Sequence, residues 1–428
     1  NKLREPDNEY LLISERPAWD SLRKWRSVDK DFACNTFRSA CGFEPHPTND
    51  AFVQWTENQQ HSLSSLFPTI NKETIYHLDL SVGSDWVGHQ TDYNDLDLFQ
   101  FKIEKLQKKV PDSIIAGGYM EPRALYTSDA YDKRGNSGME SRSIHLGIDF
   151  WLPAGTPVHA LFDGKVITAV NDKGDKEYGG LIILKHQEDG ITFFTLYGHL
   201  NPKQVVAIEL GTTISKGEKI AELGNYPENG NWAPHLHFQL MLSLFSYTDD
   251  FPGVAYLKQL DIWKSCCPDP NLLFKIPSLQ PEVSSSKEEM LTFRNEHLGK
   301  SLSLHYKDPL HMVRGSGPYL IDHFGSKYID TVNNVAHVGH EHPDVVSAGQ
   351  RQMALLNTNT RYLHEHINTF AQELLDTMPD TLSVVHFVNS GSEANELAIR
   401  MIKSCTGAED IIVSASGYHG NSNSCIAI

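Results

Sequence analysis

Short β-type runs separated by glycine dominate residues 116–250 of this chain and constrain its fold more than any other feature. The runs are GKVITAV, GGLIILKH, ITFFTLYGHL, GTTISKGEKIAELG and HLHFQLML. Such runs, rich in β-branched and aromatic residues and punctuated by turn residues, predict an antiparallel β domain.

The chain is long enough for several domains, since 428 residues exceed the size of one ordinary core. Residues 1–115 mix helical patterns with loops and contain no recognised motif, so we expect a mixed α/β region there. Residues 116–275 form the predicted β domain, and the Pro- and Ser-rich stretch 276–289 predicts a linker. In residues 290–428, SVVHFV followed by SEANELAIRMIKS predicts a strand-to-helix unit. The expected fold class is multidomain α+β.

Charge and cysteine content limit the partners and the compartment. The formal net charge of -17 disfavours nucleic acid and anionic membranes as partners, and no apolar run reaches the length of a membrane span. The six cysteines are sparse and lack C-x-x-C spacing, so we expect reduced thiols in a cytoplasmic protein. The chain opens at Asn1 without methionine, so we expect its N-terminus to be missing and keep export as an alternative.

Histidine and aspartate recur at two spacings, so spacing alone does not select a site. H-x-H occurs at His235/His237, His340/His342 and His364/His366, and H-x-x-x-D occurs at His46/Asp50, His145/Asp149 and His340/Asp344. Pro, Thr and Asn between His46 and Asp50 favour a turn.

Two of these pairs fall in β-type runs. Residues two or four apart on a strand share a face, so HLGID presents His145 with Asp149, and HLH presents His235 with His237. Two histidine nitrogens and one carboxylate form a zinc set whose fourth position holds a water of lowered pKa. The alternative is a set of strand histidines hydrogen-bonded on a sheet surface.

The order of these parts resembles the lysostaphin-type zinc metallopeptidases over about residues 117–245, through HLGIDF, GTPVHALFDGKV, LYGHL and PHLHF. The resemblance implies that His145, Asp149 and His237 bind zinc. It also implies that His235 and His199 stay unligated beside the metal, polarise the attacking water and stabilise the oxyanion. A peptide or amide substrate follows from it. A cell-wall substrate does not, because the chain is acidic and shows no wall-binding module.

A second candidate site lies where the β-type run before NSGS meets a helical pattern. Gly391 and Ser392 fall at the start of this helix, and free N–H groups at helix N-termini hold phosphates. The alternative is a plain helix start capped by Ser390 or Ser392.

Four neighbouring motifs resemble the class III, fold-type I pyridoxal-phosphate enzymes, especially the branch containing ethanolamine-phosphate phospho-lyase, over about residues 290–428. They are YLIDHFGSKYIDTVNNVAHVGHEHPDVVSA, NTNTRYLHEH, NSGSEANELAIR and SGYHGNS. The resemblance implies that Gly391 and Ser392 hold the cofactor phosphate, and that Tyr418 stacks on the pyridine ring with His419 beside it. It also implies that His340, His342, His364 and His366 are core residues or contacts behind the site, not metal ligands.

This sequence departs from the family pattern in one respect. In the family, the Schiff-base lysine and the pyridine-nitrogen aspartate lie well beyond the YHG element, where the sequence has already ended. Lys327 and Lys403 stand in the wrong motif context to replace that lysine. We therefore expect a partial pyridoxal-phosphate site in a fragment of a larger enzyme, in which a zinc peptidase-like domain precedes an incomplete α/β aminotransferase-like domain. The full-length protein is expected to take a small amine and to form a homodimer through this second domain.

Two alternatives stay open. In the first, the main activity is a transaminase or phospho-lyase acting on a small amine or phosphoamine, and the β domain is a non-catalytic accessory. In the second, the β domain is a scaffold without catalytic activity.

Overall fold

The computed structural model describes residues 49–126, 131–135, 138–245, 247–279, 286–332 and 337–427. Outside these ranges lie the expected helix PAWDSLRKWRSV, two cysteines (Cys34 and Cys41) and His46. The chain divides after Ser347 into two compact units. No helix in the described part of the chain combines the length and the apolar character that a membrane crossing requires.

An eight-stranded sheet, in the order β1-β2-β5-β12-β9-β8-β7-β10, organises the first unit. Strands β1 and β2 are parallel, and every other neighbouring pair in this sheet is antiparallel. Smaller sheets have the orders β11-β6, β13-β4-β3 and β14-β15-β16. The strands are β1 Thr74–His77, β2 Ser113–Gly117, β3 Asp132–Gly135, β4 Gly138–His145, β5 Ile148–Trp151, β6 Pro157–His159, β7 Gly164–Asp172, β8 Gly179–Glu188, β9 Ile191–Leu200, β10 Thr213–Ile214, β11 Lys219–Glu222, β12 Leu236–Met241, β13 Val254–Tyr256, β14 Met312–Ser316, β15 Tyr319–Asp322 and β16 Lys327–Ile329.

The predicted antiparallel β domain is confirmed, and the predicted run ITFFTLYGHL coincides with β9. Every residue of β12 is buried, because the centre of the sheet is covered on both faces. Phe238 and Leu240 pack into one core cluster, whereas Met241 packs into another on the opposite face. His237 and Gln239 share the face of Met241, since side chains alternate along a strand.

Helices occur between the strands and after them in chain order. They are α1 Asn49–Thr56, α2 Leu63–Leu66, α3 Gln90–Asn94, α4 Leu96–Lys109, α5 Pro202–Val205, α6 Leu260–Cys266, α7 Asn271–Phe274, α8 Lys287–His297, α9 Pro343–Leu355, α10 Glu365–Leu375, α11 Gly391–Thr406 and α12 Asn423–Ile426. The predicted helix DLDLFQFKIEKLQKKV forms as α4, capped by the Asp95 side chain, which accepts from Leu98 N–H. Its buried residues Phe99, Ile103 and Leu106 recur every three to four positions, as an amphipathic helix requires.

The three-stranded sheet β14-β15-β16 packs within the first unit, although its residues follow the predicted linker. Arg314 donates through Nε to Val82 O at 2.8 Å and through Nη1 to Gly88 O at 2.5 Å. Ser143 Oγ in β4 donates to Phe324 O at 2.8 Å. The start of the aminotransferase-like sequence therefore contacts the strand that ends in His145.

The second unit, residues 348–428, buries little of its surface. Only Gly420 and Cys425 are buried among its described residues. The expected strand SVVHFV does not form, although the helix expected after it forms as α11. A strand needs a neighbour for its N–H and C=O groups, and no strand forms among residues 348–427. The described cysteines, Cys266, Cys267, Cys405 and Cys425, are free thiols as expected.

Candidate active site

His145, Asp149 and His237 come together where β4, β5 and β12 meet. Asp149 and His237 are direct cross-strand partners in the β5–β12 pair. His145 Nε2 lies 2.8 Å from His237 Nδ1 and 3.3 Å from Asp149 Oδ1, and His237 Nδ1 lies 3.2 Å from Asp149 Oδ1. Among the described residues this is the one group of three or more His, Cys, Asp or Glu side chains arranged to hold a metal ion.

The triangle of donor atoms fits zinc. A tetrahedral zinc ion with bonds of about 2.0–2.2 Å places its ligand atoms about 3.3–3.5 Å apart. The separations of 2.8, 3.2 and 3.3 Å reach this range after a shift of a few tenths of an ångström. Two imidazole nitrogens and one carboxylate oxygen are also a donor set that zinc uses in catalytic sites.

Hydrogen bonds behind the two histidines fix which ring nitrogen faces the site. His145 Nδ1 lies 2.9 Å from Gly118 O, and a carbonyl oxygen only accepts, so Nδ1 carries the proton and Nε2 is free. His237 Nε2 lies 3.0 Å from Gln239 Oε1, while Gln239 Nε2 donates to Pro252 O at 3.2 Å. Gln239 is thereby oriented as an acceptor, which leaves His237 Nδ1 free for a metal.

A buried ion-pair chain supports the carboxylate. Asp149 Oδ2 accepts from Arg123 Nη1 at 2.6 Å, and Arg123 Nε donates to Glu121 Oε2 at 2.6 Å. Burial would raise the pKa of Asp149, but His145 and Arg123 beside it hold this pKa well below its ordinary value. Burial and the Arg123 charge lower the pKa of His145 to about 3. An ionised carboxylate and a neutral imidazole are the states that metal binding needs.

His199 and His235 stand beside this triad without belonging to it. His199 Nδ1 donates to Asn229 O at 2.8 Å and His235 Nδ1 donates to Ala233 O at 2.7 Å, so both Nε2 atoms are unprotonated. Their rings lie 4.2 Å apart, and His235 Nε2 lies 3.8 Å from Asp149 Oδ1. Burial lowers the pKa of His235 to about 4 and the pKa of His199 well below its ordinary value. Both imidazoles are therefore neutral bases near pH 7.

Close backbone approach explains two glycines of the motifs. A Cβ on Gly147 would lie 2.8 Å from the His237 ring, and a Cβ on Gly198 would lie 2.5 Å from the Tyr178 ring. His199 has φ of 62°, a conformation that costs free energy for a residue other than glycine. These contacts hold the histidines of HLGID, LYGHL and PHLHF in one compact arrangement.

The triad and the two further histidines line one cavity of about 590 Å³, a volume that includes its open mouth. Aromatic side chains, including Tyr131, Tyr178 and Trp232, form much of its wall. Lys176 also lines it. A partly enclosed cavity with polar groups converging on one point is typical of a small-molecule or peptide-end site.

The second predicted site surrounds the start of α11, which Ser390 caps by accepting from Glu393 N–H at 3.2 Å. Ser392 Oγ accepts from Asn421 N–H at 3.0 Å, which joins the NSGS and YHG elements. A Cβ on Gly391 would meet nothing within 4 Å, so the space above this helix start is open. Tyr418 is 77% exposed, whereas the Nε2 atom of His419 is buried without a hydrogen-bond partner among the described residues.

Comparisons with known proteins give matches in two separate parts of the chain. Residues 143–246 match the model of peptidase family M23, and residues 303–428 match the model of the class-III aminotransferases. The chain thus contains one segment that matches family M23, called the M23 segment below, and a later segment that matches the class-III aminotransferases, called the class-III segment. Both predicted resemblances are thereby confirmed. M23 peptidases depend on zinc and class-III aminotransferases use pyridoxal phosphate, and both are families of enzymes.

Two curated relatives are an aminotransferase-like protein and a phospho-lyase homolog. The alanine–glyoxylate aminotransferase 2-like protein of Drosophila melanogaster is 48% identical over 144 residues, which cover 33% of this chain and 29% of the relative. The ethanolamine-phosphate phospho-lyase homolog 1 of Caenorhabditis elegans is 42% identical over 137 residues, 32% of this chain and 29% of the relative. The chain thus spans less than a third of the length of these relatives.

The M23 segment is similar to a solved structure. The catalytic domain of the antimicrobial peptidase lysostaphin from Staphylococcus simulans is 28% identical to it. This similarity covers 29% of this chain and 81% of that chain, with a TM-score of 0.20.

None of the remaining H-x-H histidines belongs to the metal triad. None of the four is buried, so the structure does not bear out a place in a core for them. His340 Nε2 lies 2.7 Å from Asp330 Oδ2, and the His364 ring accepts from His366 N–H at the start of α10. Lys327 and Lys403 form ion pairs with Asp132 at 3.4 Å and with Glu409 at 3.0 Å.

The sequence did not reveal three polar residues behind the triad. The position of Gln239 could have been predicted from the sequence, because it lies two residues after His237 and therefore shares its face of β12. The positions of Arg123 and Glu121 could not. Arg123 reaches Asp149, and Glu121 reaches Arg123, only because β2 leads into their loop and pairs with β5.

Proposed function

We propose that the M23 segment is a zinc-dependent hydrolase of peptide or amide bonds. The observation that carries the proposal is the convergence of three metal-binding atoms from His145, Asp149 and His237 with two unprotonated Nε2 atoms from His199 and His235. The match to family M23 over residues 143–246 supports it independently.

In this proposal His145, Asp149 and His237 hold zinc, which when bound supplies a Lewis acid and an activated water. His235 Nε2, which lies 3.8 Å from Asp149 Oδ1, accepts a proton from the attacking water. A histidine that has gained this proton at Nε2 becomes a donor. His199 or His235 in that form stabilises the oxyanion or protonates the leaving amine. The carbonyls of Asn229 and Ala233 hold both rings in the required orientation.

Removal and return of the metal test this function. The purified chain, loaded with zinc, is assayed against a panel of short peptides and N-acyl amides by mass spectrometry. We expect cleavage that stops when a chelator removes zinc and returns when zinc is added back. Cleavage of the same bond by the metal-free protein would contradict the proposal.

We further propose that Gly391 and Ser392 hold the phosphate of pyridoxal phosphate, with Tyr418 and His419 beside the ring. The open space above the start of α11 and the match to the class-III aminotransferases support this role. The cofactor supplies amine chemistry when bound. A small amine, such as the phosphorylated amine suggested by the phospho-lyase relative, is the proposed substrate, and a homodimer the proposed assembly.

A further inference from the structure

Lys176 is a buried cation in the wall of the metal cavity. It is 7% exposed and lines the cavity that also contains His145, His199 and His237. Its φ of 68° lies in the left-handed region, which costs free energy for lysine. The main chain is held in this conformation, because Lys176 N–H donates to Gly230 O at 2.9 Å and Lys176 O accepts from the Tyr131 hydroxyl. The fold thus keeps this side chain at one place in the wall.

The ammonium group has no anionic partner within the described part of the chain. Its Nζ lies 3.9 Å from the centroid of the Trp232 ring. Asp175, the one carboxylate whose charge acts on it appreciably, is hydrogen-bonded to Asn231 Nδ2 at 2.7 Å. Burial lowers the pKa of Lys176 to about 8. Buried charges are ordinarily paired, so an unpaired ammonium in a cavity indicates that a ligand supplies the partner.

Other carboxylates of the cavity do not fill this role. Glu177 and Asp250 also line it, but neither charge acts appreciably on Lys176, whereas the charges of Asp172 and Arg142 act on both carboxylates. They therefore belong to a separate acidic part of the wall, around Arg142. The net charge of -17 repels anions at long range, so a local cation is needed to hold one here.

The Trp232 ring connects Lys176 to the reacting groups. Its centroid lies 6.1 Å from the His199 ring and 6.2 Å from the His235 ring. Trp232 Nε1 is buried and has no hydrogen-bond partner among the described residues. Extended peptide advances about 3.3–3.6 Å per residue, so roughly three residues span the path from these histidines to the ammonium.

We propose that the cavity takes a substrate carrying an anionic oxygen group, a carboxylate or a phosphate, within about three residues of the bond that is cleaved, and that Lys176 binds this group. The inference rests on the proposed hydrolase function and specifies its substrate class. Lys176 would thereby distinguish peptides with a free carboxylate from the corresponding amides.

Calorimetric binding to the zinc-loaded, full 428-residue chain tests the inference without requiring turnover. The probes are acetyl-dialanine with a free carboxylate, the same dipeptide as its amide, and inorganic phosphate. We expect the better of the two anions to bind about 10- to 100-fold more tightly than the amide, as a charge-assisted hydrogen bond provides. The tighter of the two anions identifies the source of the oxygen group.

The variants Lys176→Gln and Lys173→Gln distinguish anion binding by Lys176 from anion binding by the zinc ion. Both remove one positive charge from the same turn, but Lys173 is exposed. We expect Lys176→Gln to abolish the preference for the anion and Lys173→Gln to keep it, with Lys176→Arg restoring much of it. A preference that survives Lys176→Gln would show that zinc alone binds the anion and would overturn the proposal.

Comparing the binding of the three probes to the wild-type chain tests the proposal even if Lys176→Gln fails to fold. Equal binding of acid, amide and phosphate by the wild-type chain would also overturn the inference. Failure of the hydrolase proposal is distinguishable, because anion-selective binding that depends on Lys176 would persist in a protein that cleaves nothing.

Discussion

The two predicted sites of this chain are equally clear as motifs but differ in how their surroundings hold them. His145, Asp149 and His237 are at most 3% exposed, and two buried cores flank the sheet that carries two of them. In the class-III segment, Tyr418 is 77% exposed and α11 buries none of its residues. A motif therefore identifies the residues of a site, whereas the packing around it decides whether those residues are held in position.

The hydrogen bonds around the sites repeat this difference. Each metal-facing side chain of the M23 segment has a buried partner behind it: Gly118 O, Arg123 or Gln239. At the start of α11, Ser390 accepts from Glu393 N–H within the helix cap and Ser392 accepts from Asn421 N–H, both at exposed positions. The comparison predicts that substitutions near the first site have large effects on stability and function, and that substitutions near the second have small ones.

The largest difference is expected in stability. Leu240 in β12 is fully buried, whereas Leu363 in the second unit is fully exposed. Leu240→Ala should lower the free energy of unfolding by about 2–5 kcal/mol because it removes buried surface and leaves a cavity. Leu363→Ala should change it by no more than about 0.5 kcal/mol. Urea denaturation followed by circular dichroism measures both changes. Equal losses in the free energy of unfolding would contradict the difference in packing between the first and the second unit.

Hydrolysis should depend strongly on the two histidines outside the metal triad. His199→Ala and His235→Ala should each lower the rate of peptide or amide cleavage by about 100- to 1000-fold while zinc stays bound. His159→Ala is the matched control, because its Nδ1 also pairs with a carbonyl, that of Gly217, at an exposed position. Unchanged turnover by His235→Ala would remove this residue from the mechanism.

Zinc affinity should depend on the residue that orients His237. Gln239→Leu keeps a similar volume but removes the acceptor for His237 Nε2–H, so we expect zinc to bind about 10- to 100-fold more weakly. Gln204→Leu is the control, because Gln204 accepts from Glu222 N–H elsewhere in the same unit. Competition with a fluorescent zinc chelator measures the affinities. Equal affinities for the two variants would show that Gln239 does not support the metal.

The smallest effect is expected at the second site. After incubation with pyridoxal phosphate and reduction with borohydride, the intact mass of this chain should show no stoichiometric adduct on a single lysine, because Lys327 and Lys403 pair with carboxylates in the wrong motif context. A stoichiometric adduct on one lysine would show that the Schiff-base residue is present and that the second site is as complete as the first.

The sequence could predict the elements whose pattern is local. The run ITFFTLYGHL has the composition of a strand and forms β9, and residues 95–110 have helical spacing and form α4. The metal triad was accessible only through the resemblance to the lysostaphin-type metallopeptidases, because the spacings alone did not select it. The expectation that HLGID lies on one strand was wrong: His145 ends β4 and Asp149 lies in β5.

Features that depend on long-range pairing could not be predicted. Arg123 contacts Asp149 through the pairing of β2 with β5. Lys176 contacts the Trp232 ring although the two residues are far apart in the sequence and no motif joins them. The run SVVHFV has strand composition but forms no strand, because composition does not supply a neighbouring strand.

Metal analysis of matched histidine variants tests the central claim most directly. After dialysis against trace zinc, the wild-type chain should contain one zinc ion, His145→Ala and His237→Ala should contain none, and His340→Ala should retain it, because His340 pairs with Asp330 outside the cavity. Circular dichroism confirms that each variant is folded. Full zinc content in folded His145→Ala or His237→Ala, or equal loss in His340→Ala, would contradict the assignment of the metal to His145, Asp149 and His237.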